Sequence, residues 1–126
     1  MVASGTHHRP PRLDAQQAEA LLAEHLASYR RFTYAQLQRR IVASATDPNY
    51  PEVVHRQTPE GSEYTIKTII VWDAHPGGAI RVMADLTAHP QARLLGLIPL
   101  FVPDAVDSFL LAPDGSFVGE RIPGLR

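Results

Sequence analysis

Six histidines, thirteen carboxylate side chains and twelve cations, with no cysteine, are the groups of this 126-residue chain able to bind metal, move protons or hold an anion. The missing cysteine removes thiolate nucleophiles, disulfides and Cys-ligated metal sites together. For a His/carboxylate metal cluster the candidates are His55, Asp73, His75, Asp85 and His89. None stands at a compact ligand spacing of the His-x-His or His-Glu-x-x-His kind. Asp73 and His75 fall in turn sequence, where Asp73 can bond local backbone. His89 falls at the far end of the same hairpin, about 25 Å along extended strand, so one site cannot hold all of them. His7 and His8 are adjacent in an aperiodic leader and chelate poorly. Neither a metal nor any other cofactor is expected.

For acid–base chemistry the one carboxylate inside a strand pattern is Asp85, and its expected cross-strand partner is Lys67, the single lysine. A satisfied ion pair accounts for both. There is no Gly-x-Ser-x-Gly elbow and no phosphate loop; His75-Pro76-Gly77-Gly78 is turn chemistry. The sequence thus supplies no catalytic residue. Charge is uneven, +3 over residues 1–42 and -4 over the remainder, for a net of -1. Arg30-Arg31 and Arg39-Arg40 could touch phosphates. Both pairs are expected in the last turn of a helix, where cations complement the macrodipole without any ligand, so no nucleic-acid partner is expected. No apolar run reaches membrane-spanning length, and Met1 to Arg12 is polar and Pro-containing rather than a signal peptide. A cytoplasmic protein of bacterial type is the expectation.

These residues must be positioned by one domain, because 126 residues are too few for two separate cores. Residues 1–12 read as a flexible leader and residues 13–126 as a single α+β domain. Asp14 is placed as an N-cap, and Ala15 to Arg31 contain neither Gly nor Pro. Ala18, Leu21, Leu22, His25, Leu26 and Tyr29 recur at helical spacing. Thr33 and Gln36 form a capping-box pattern for a second helix with Tyr34, Leu37 and Ile41 on its buried stripe. Residues 43–51 read as loop. The period then changes to two. Residues 63–73 and 79–89 are strands around the turn Ala74-His75-Pro76-Gly77-Gly78. Pairing Trp72 with Ile80 sets Ile70 opposite Val82, Lys67 opposite Asp85 and Ile66 opposite Leu86. Thr58-Pro59-Glu60-Gly61 and Ala112-Pro113-Asp114-Gly115 predict two further hairpins, each with its Gly at positive φ. The first adds a strand from Glu52 to Gln57 with Val54 opposite Ile66. The second folds Phe117–Val118 onto Ser108–Leu111. Leu94 to Val102 is expected as one strand, bulged or at an edge because of Gly96 and Pro99. The whole reads as two N-terminal helices packed on a curved antiparallel sheet of four to six strands. Its expected core is Leu22, Leu26, Tyr29, Leu37, Ile41, Ile66, Ile70, Trp72, Val82 and Leu86.

The segments Ile69-Ile70-Val71-Trp72-Asp73, Pro76-Gly77-Gly78 and Ile80-Arg81-Val82, followed by Asp107-Ser108-Phe109 and Pro113-Asp114-Gly115-Ser116-Phe117-Val118-Gly119-Glu120, carry a resemblance. Together with the N-terminal helix and the Tyr29–Leu37 segment, they resemble a family of small uncharacterised bacterial proteins ending in a PDGSFVGE-type hairpin. The chain departs from that family over residues 87–103, where Ala88-His89-Pro90-Gln91-Ala92 replaces a shorter Asp/Gly-rich turn. The resemblance implies neither an activity nor a site residue. More remotely, the element order is similar to cystatin-like and NTF2-like folds, an analogy of fold alone.

Two functions remain. The first is a non-catalytic interaction or assembly protein acting through its sheet surface. One face of the central hairpin serves the helices, yet the opposite face carries Ile69, Val71 and Met83 rimmed by Arg81, Lys67, Asp85 and Thr65. Such a patch predicts an interface, as a homodimer or with another protein partner. The competing explanation is that Leu94–Leu111 covers the patch. The second function is a small-ligand binder or enzyme with an NTF2-like pocket lined by His25, Tyr29, Tyr64, Trp72 and Met83. An enclosed polar cavity favours the second, a filled core the first.

Overall fold

A computed structural model of the chain describes residues 13–88 and 103–120, with the backbone alone for residues 93–94 and 98–99. The leader with His7 and His8, His89, and most of residues 94–102 lie outside the described residues.

Helix α1 (Ala15–Tyr29) starts where its cap dictates: the Asp14 carboxylate accepts from the Gln17 backbone N–H at 2.8 Å and Gln17 Oε1 accepts from the Asp14 N–H at 3.0 Å. It ends two residues before the expected Arg31, with Arg30 as its C-cap. Helix α2 (Tyr34–Ser44) starts with the expected Thr33/Gln36 capping box. It then runs into the segment read as loop from residue 43. These reciprocal caps satisfy N–H groups that the first turn cannot pair internally.

Among the described residues six strands follow: β1 (Glu52–Gln57), β2 (Glu63–Trp72), β3 (Ile80–Ala88), β4 (Arg93–Leu94), β5 (Ile98–Pro99) and β6 (Ala105–Leu111). Strands β1-β2-β3-β6, in that order, form one antiparallel sheet. The expected register holds throughout the two N-terminal hairpins: Val54↔Ile66, Ile66↔Leu86, Lys67↔Asp85, Ile70↔Val82 and Trp72↔Ile80. Gly61 (φ 95) and Gly115 (φ 91) adopt the positive φ that their turns require.

Two expectations for the C-terminal half need correction. Residues 94–102 are not one strand, because Arg93 pairs with Pro99 and Leu94 with Ile98 in a separate two-stranded piece. The second Pro-acid-Gly turn supports only the bridge Leu111↔Phe117 and a Val118 N–H to Leu110 C=O bond, not a strand.

Both helices pack on one sheet face, α1 against β3 and β6 and α2 against β2 and β3. Leu22, Leu26, Leu37, Ile66, Ile80, Val82 and Leu86 are all below 2 % exposed, filling the layer between them. Of the ten expected core residues, Ile41 and Trp72 are only half-buried at its margin. Among the described residues no helix is long and apolar enough to cross a membrane.

Candidate functional site

Side chains alternate along a strand, so the register assigns every residue of the sheet to a face. The helix-free face carries Val71, Arg81 and Leu110 in one row, Ile69, Met83 and Ser108 in the next, and Val53, Lys67, Asp85 and Val106 in a third. Ile69, Val71, Met83 and Leu110 shield one another to a half-buried state. Val53 and Val106 are 48% and 67% exposed, far more than a closed layer allows. The expected interface residues Ile69, Val71, Met83 and Arg81 therefore do stand together. Leu110, Val53 and Val106 complete the patch. They were missed because they sit on β1 and β6, flanking the central hairpin from which the face was read.

The charges of this face are held in place. Arg81 donates from Nε to Asp73 Oδ1 at 2.9 Å and from Nη1 to Ser108 Oγ at 3.2 Å. Lys67 stands 3.9 Å from Asp85, a loose and partly exposed pair of small energetic weight. Strand β6 does not cover the face, since it lies beside β3 as the edge of the same sheet; residues 89–92 and 100–102 lie outside the described residues.

A polar cluster joins the helices to the sheet face that they cover. His25 Nε2 is 2.9 Å from the hydroxyl of buried Thr68, which also bonds the Tyr29 phenol. Tyr29 donates to Glu52 Oε1, and Arg40 Nη1 donates to Glu52 Oε2 at 2.7 Å. Burial, then the hydrogen bond to Glu52 and its charge, push the Tyr29 phenol up to about 12, against smaller opposing effects of Thr68 and Arg40. Burial and the Arg56 charge lower the His25 pKa, against Glu52. The run of donors ends on a carboxylate already neutralised by arginine, which suits a tie between α1, α2, β1 and β2 better than a reaction centre. A cleft of about 220 Å³ beside it is lined by Arg40, Ser44, Asp47, Tyr50, Glu52 and Ile70 and opens at the surface.

A raised phenol pKa stabilises the folded state fully below the ordinary value of 10, and that stabilisation is lost as pH rises through about 12. Burial also raises the Tyr64 phenol, but ultraviolet titration of the four tyrosines should show a phenolate step near 12 that Tyr29→Phe removes. A Tyr29→Phe protein that retains the late step would assign it elsewhere. His25 has the opposite sign, its contribution being complete above 6.5 and falling away at lower pH.

The remaining candidates are scattered. Tyr64 is buried, Trp72 packs near Tyr34 with ring centroids 6.3 Å apart, and Met83 is on the opposite face, so the five pocket candidates do not line one cavity. His55 Nδ1 meets Thr65 Oγ1 at 3.0 Å, His75 Nδ1 meets the Pro76 carbonyl at 3.2 Å, and Asp73 and Asp85 face cations. Among the described residues no three His, Asp or Glu gather as ligands.

The arginine pairs also need correction. Arg39 and Arg40 lie inside α2, which runs on to Ser44, and Arg30 and Arg31 follow the end of α1, so the helix dipole does not account for them. Side-chain partners do: Arg40 pairs with Glu52 and lies over Phe32, while Arg30 pairs with Glu120 and lies over Phe109 and Phe117. No family model, no curated protein and no solved structure matches this chain.

Proposed function

We propose that this chain is a non-catalytic assembly protein that pairs with a second copy of itself through the helix-free face of its sheet. The observation that carries the reading is the apolar surface of Ile69, Val71, Met83 and Leu110 on a face to which neither helix contributes. A filled helix–sheet layer supports it over the pocket reading, because side chains below 2 % exposure leave no room for a ligand there. A second copy suits the charge pattern of β3. Arg81, Met83 and Asp85 follow one another on this face, so a two-fold axis over Met83 lays Arg81 of each copy against Asp85 of the other. Two such faces pack about 10 Å apart. Cytoplasmic residence is part of the same proposal, a chain without cysteine having no disulfide that needs an oxidising compartment.

Val71→Arg tests the proposal. Two copies of the new guanidinium would be enclosed without partners, at a cost of about 3–5 kcal/mol, or on the order of a hundredfold or more in Kd. Sedimentation equilibrium should show the mass of the unmutated assembly halved, with the circular dichroism of the fold unchanged. An unmutated protein that sediments as a single chain at micromolar concentration, or a variant of unaltered mass, overturns the reading.

A further inference from the structure

We infer that β1 is a second self-association site, distinct from the sheet face, where β1 of another copy adds in antiparallel register centred on Val54. The inference begins with the hydrogen-bond phase of the sheet. The Thr58 N–H bonds the Ser62 carbonyl at 2.9 Å at the hairpin end. Bonded and non-bonded pairs alternate in an antiparallel ladder. Arg56↔Tyr64, Val54↔Ile66 and Glu52↔Thr68 therefore take the bonded positions. That turns the N–H and C=O groups of Val53, His55 and Gln57 away from β2.

The two sheet edges differ in what meets such groups. The same alternation turns Val106, Ser108 and Leu110 outward on β6. There the chain takes up two of the outward groups itself: the Ser108 N–H bonds Asp107 Oδ1 at 2.8 Å, and the Leu110 carbonyl accepts the Val118 N–H at 2.9 Å. The β2 segment beyond the start of β1 is closed too, because the Tyr50 hydroxyl bonds both the N–H and the C=O of Ile70. On β1, among the described residues, no partner takes the outward groups of Val53 or His55. A straight edge with a free backbone row is a template for strand addition.

The sequence of β1 selects a second copy as occupant and sets the register. About Val54, Glu52, which already accepts from Tyr29 and Arg40 of its own chain, lies opposite Arg56 of the other copy, twice by symmetry, and Val54 meets Val54. Val53 then pairs with His55 of the other copy, so outward groups meet outward groups and four ladder bonds form. A register centred on His55 sets Arg56 against Val54 and histidine against histidine; one centred on Val53 leaves Arg56 without a strand partner. This two-fold axis is normal to the sheet, whereas the axis of the face contact lies in its plane. The edge contact joins two four-stranded sheets into one of eight strands, and because the two contacts use different surfaces of the chain, one copy can make both.

Because the chain has no cysteine, Val54→Cys introduces a single thiol. Opposed residues of a non-bonded antiparallel pair are about 4.5 Å apart at Cα, within disulfide reach. Oxidation should give a reducible dimer on a non-reducing gel, about tenfold faster than for Val53→Cys, whose like positions would be about 8 Å apart and out of reach. His55→Pro removes an outward N–H while leaving the β1–β2 ladder intact, and should leave only the face-linked pair. Val71→Arg alone should leave a β1-linked pair and the double variant a single chain. Equal cross-linking at Val53 and Val54, or a folded His55→Pro protein of unaltered mass, overturns the edge contact. Rapid Val54 cross-linking with a mass insensitive to Val71→Arg upholds the edge contact and overturns the face contact, so the two fail separately.

Discussion

Leu37→Ala should destabilise the fold by about 2–5 kcal/mol, the range for truncating a buried leucine and leaving a cavity. The expectation rests on how α2 is attached. Leu37 is the one fully buried side chain of that helix, at 0% exposure, while Tyr34 and Ile41 only flank the core. The other attachments are polar and nearer the surface: the Tyr34 hydroxyl donates to the Gly78 carbonyl at 2.6 Å, and Arg40 pairs with Glu52. Neither replaces lost apolar contact inside a close-packed layer. Urea denaturation followed by circular dichroism should show a lower midpoint at unchanged slope, the mark of lost stability rather than altered compactness. A loss under about 1 kcal/mol would mean that the site collapses around the smaller side chain.

Tyr50→Phe should cost about 1–3 kcal/mol, because one hydroxyl serves two backbone groups that no other described residue reaches. The phenol donates to the Ile70 carbonyl at 3.1 Å and accepts from the Ile70 N–H at 2.9 Å. Ile70 is 2% exposed, and β1 pairs with β2 only as far as Thr68. The hydroxyl thus stands in for the next rung of the ladder. Removing the oxygen while keeping the ring isolates that loss, and thermal unfolding of the two proteins measures it. Equal melting temperatures would show that solvent takes over both groups.

Local chemistry made much of this fold legible. Reciprocal caps at Asp14/Gln17 and Thr33/Gln36 give both helix starts, and the turn residues give the β1–β2–β3 register to the residue. Each of those signals is complete within a few residues of chain. The misreadings share the opposite property. Arg40 and Arg30 find their partners 12 and 90 residues away, at Glu52 and Glu120, and a nearby helix end is a false local explanation for both. Strand β6 needs a partner across the segment between Ala88 and Ala105, whose apolar composition fits a strand, a hairpin or a helix equally. For the candidate site, parity along β2 and β3 sufficed for Ile69, Val71, Met83 and Arg81. The open β1 edge depends on which backbone groups remain unpaired, and no residue type encodes that.

The neighbour order β1-β2-β3-β6 has a consequence for how the chain finds its structure. Two of the three strand pairings are hairpins closed by short turns, at Thr58–Ser62 and Asp73–Ala79, whose loop-closure entropy is small. The third joins β6 across sixteen intervening residues, and it is also the pairing against which α1 packs. Zipping from the β2–β3 turn outward therefore meets its one long closure last, and the loss of chain entropy there is offset at once by burial of α1. Folding speed is expected to be set at that closure, so lengthening the segment between β3 and β6 should slow folding while leaving the architecture unchanged.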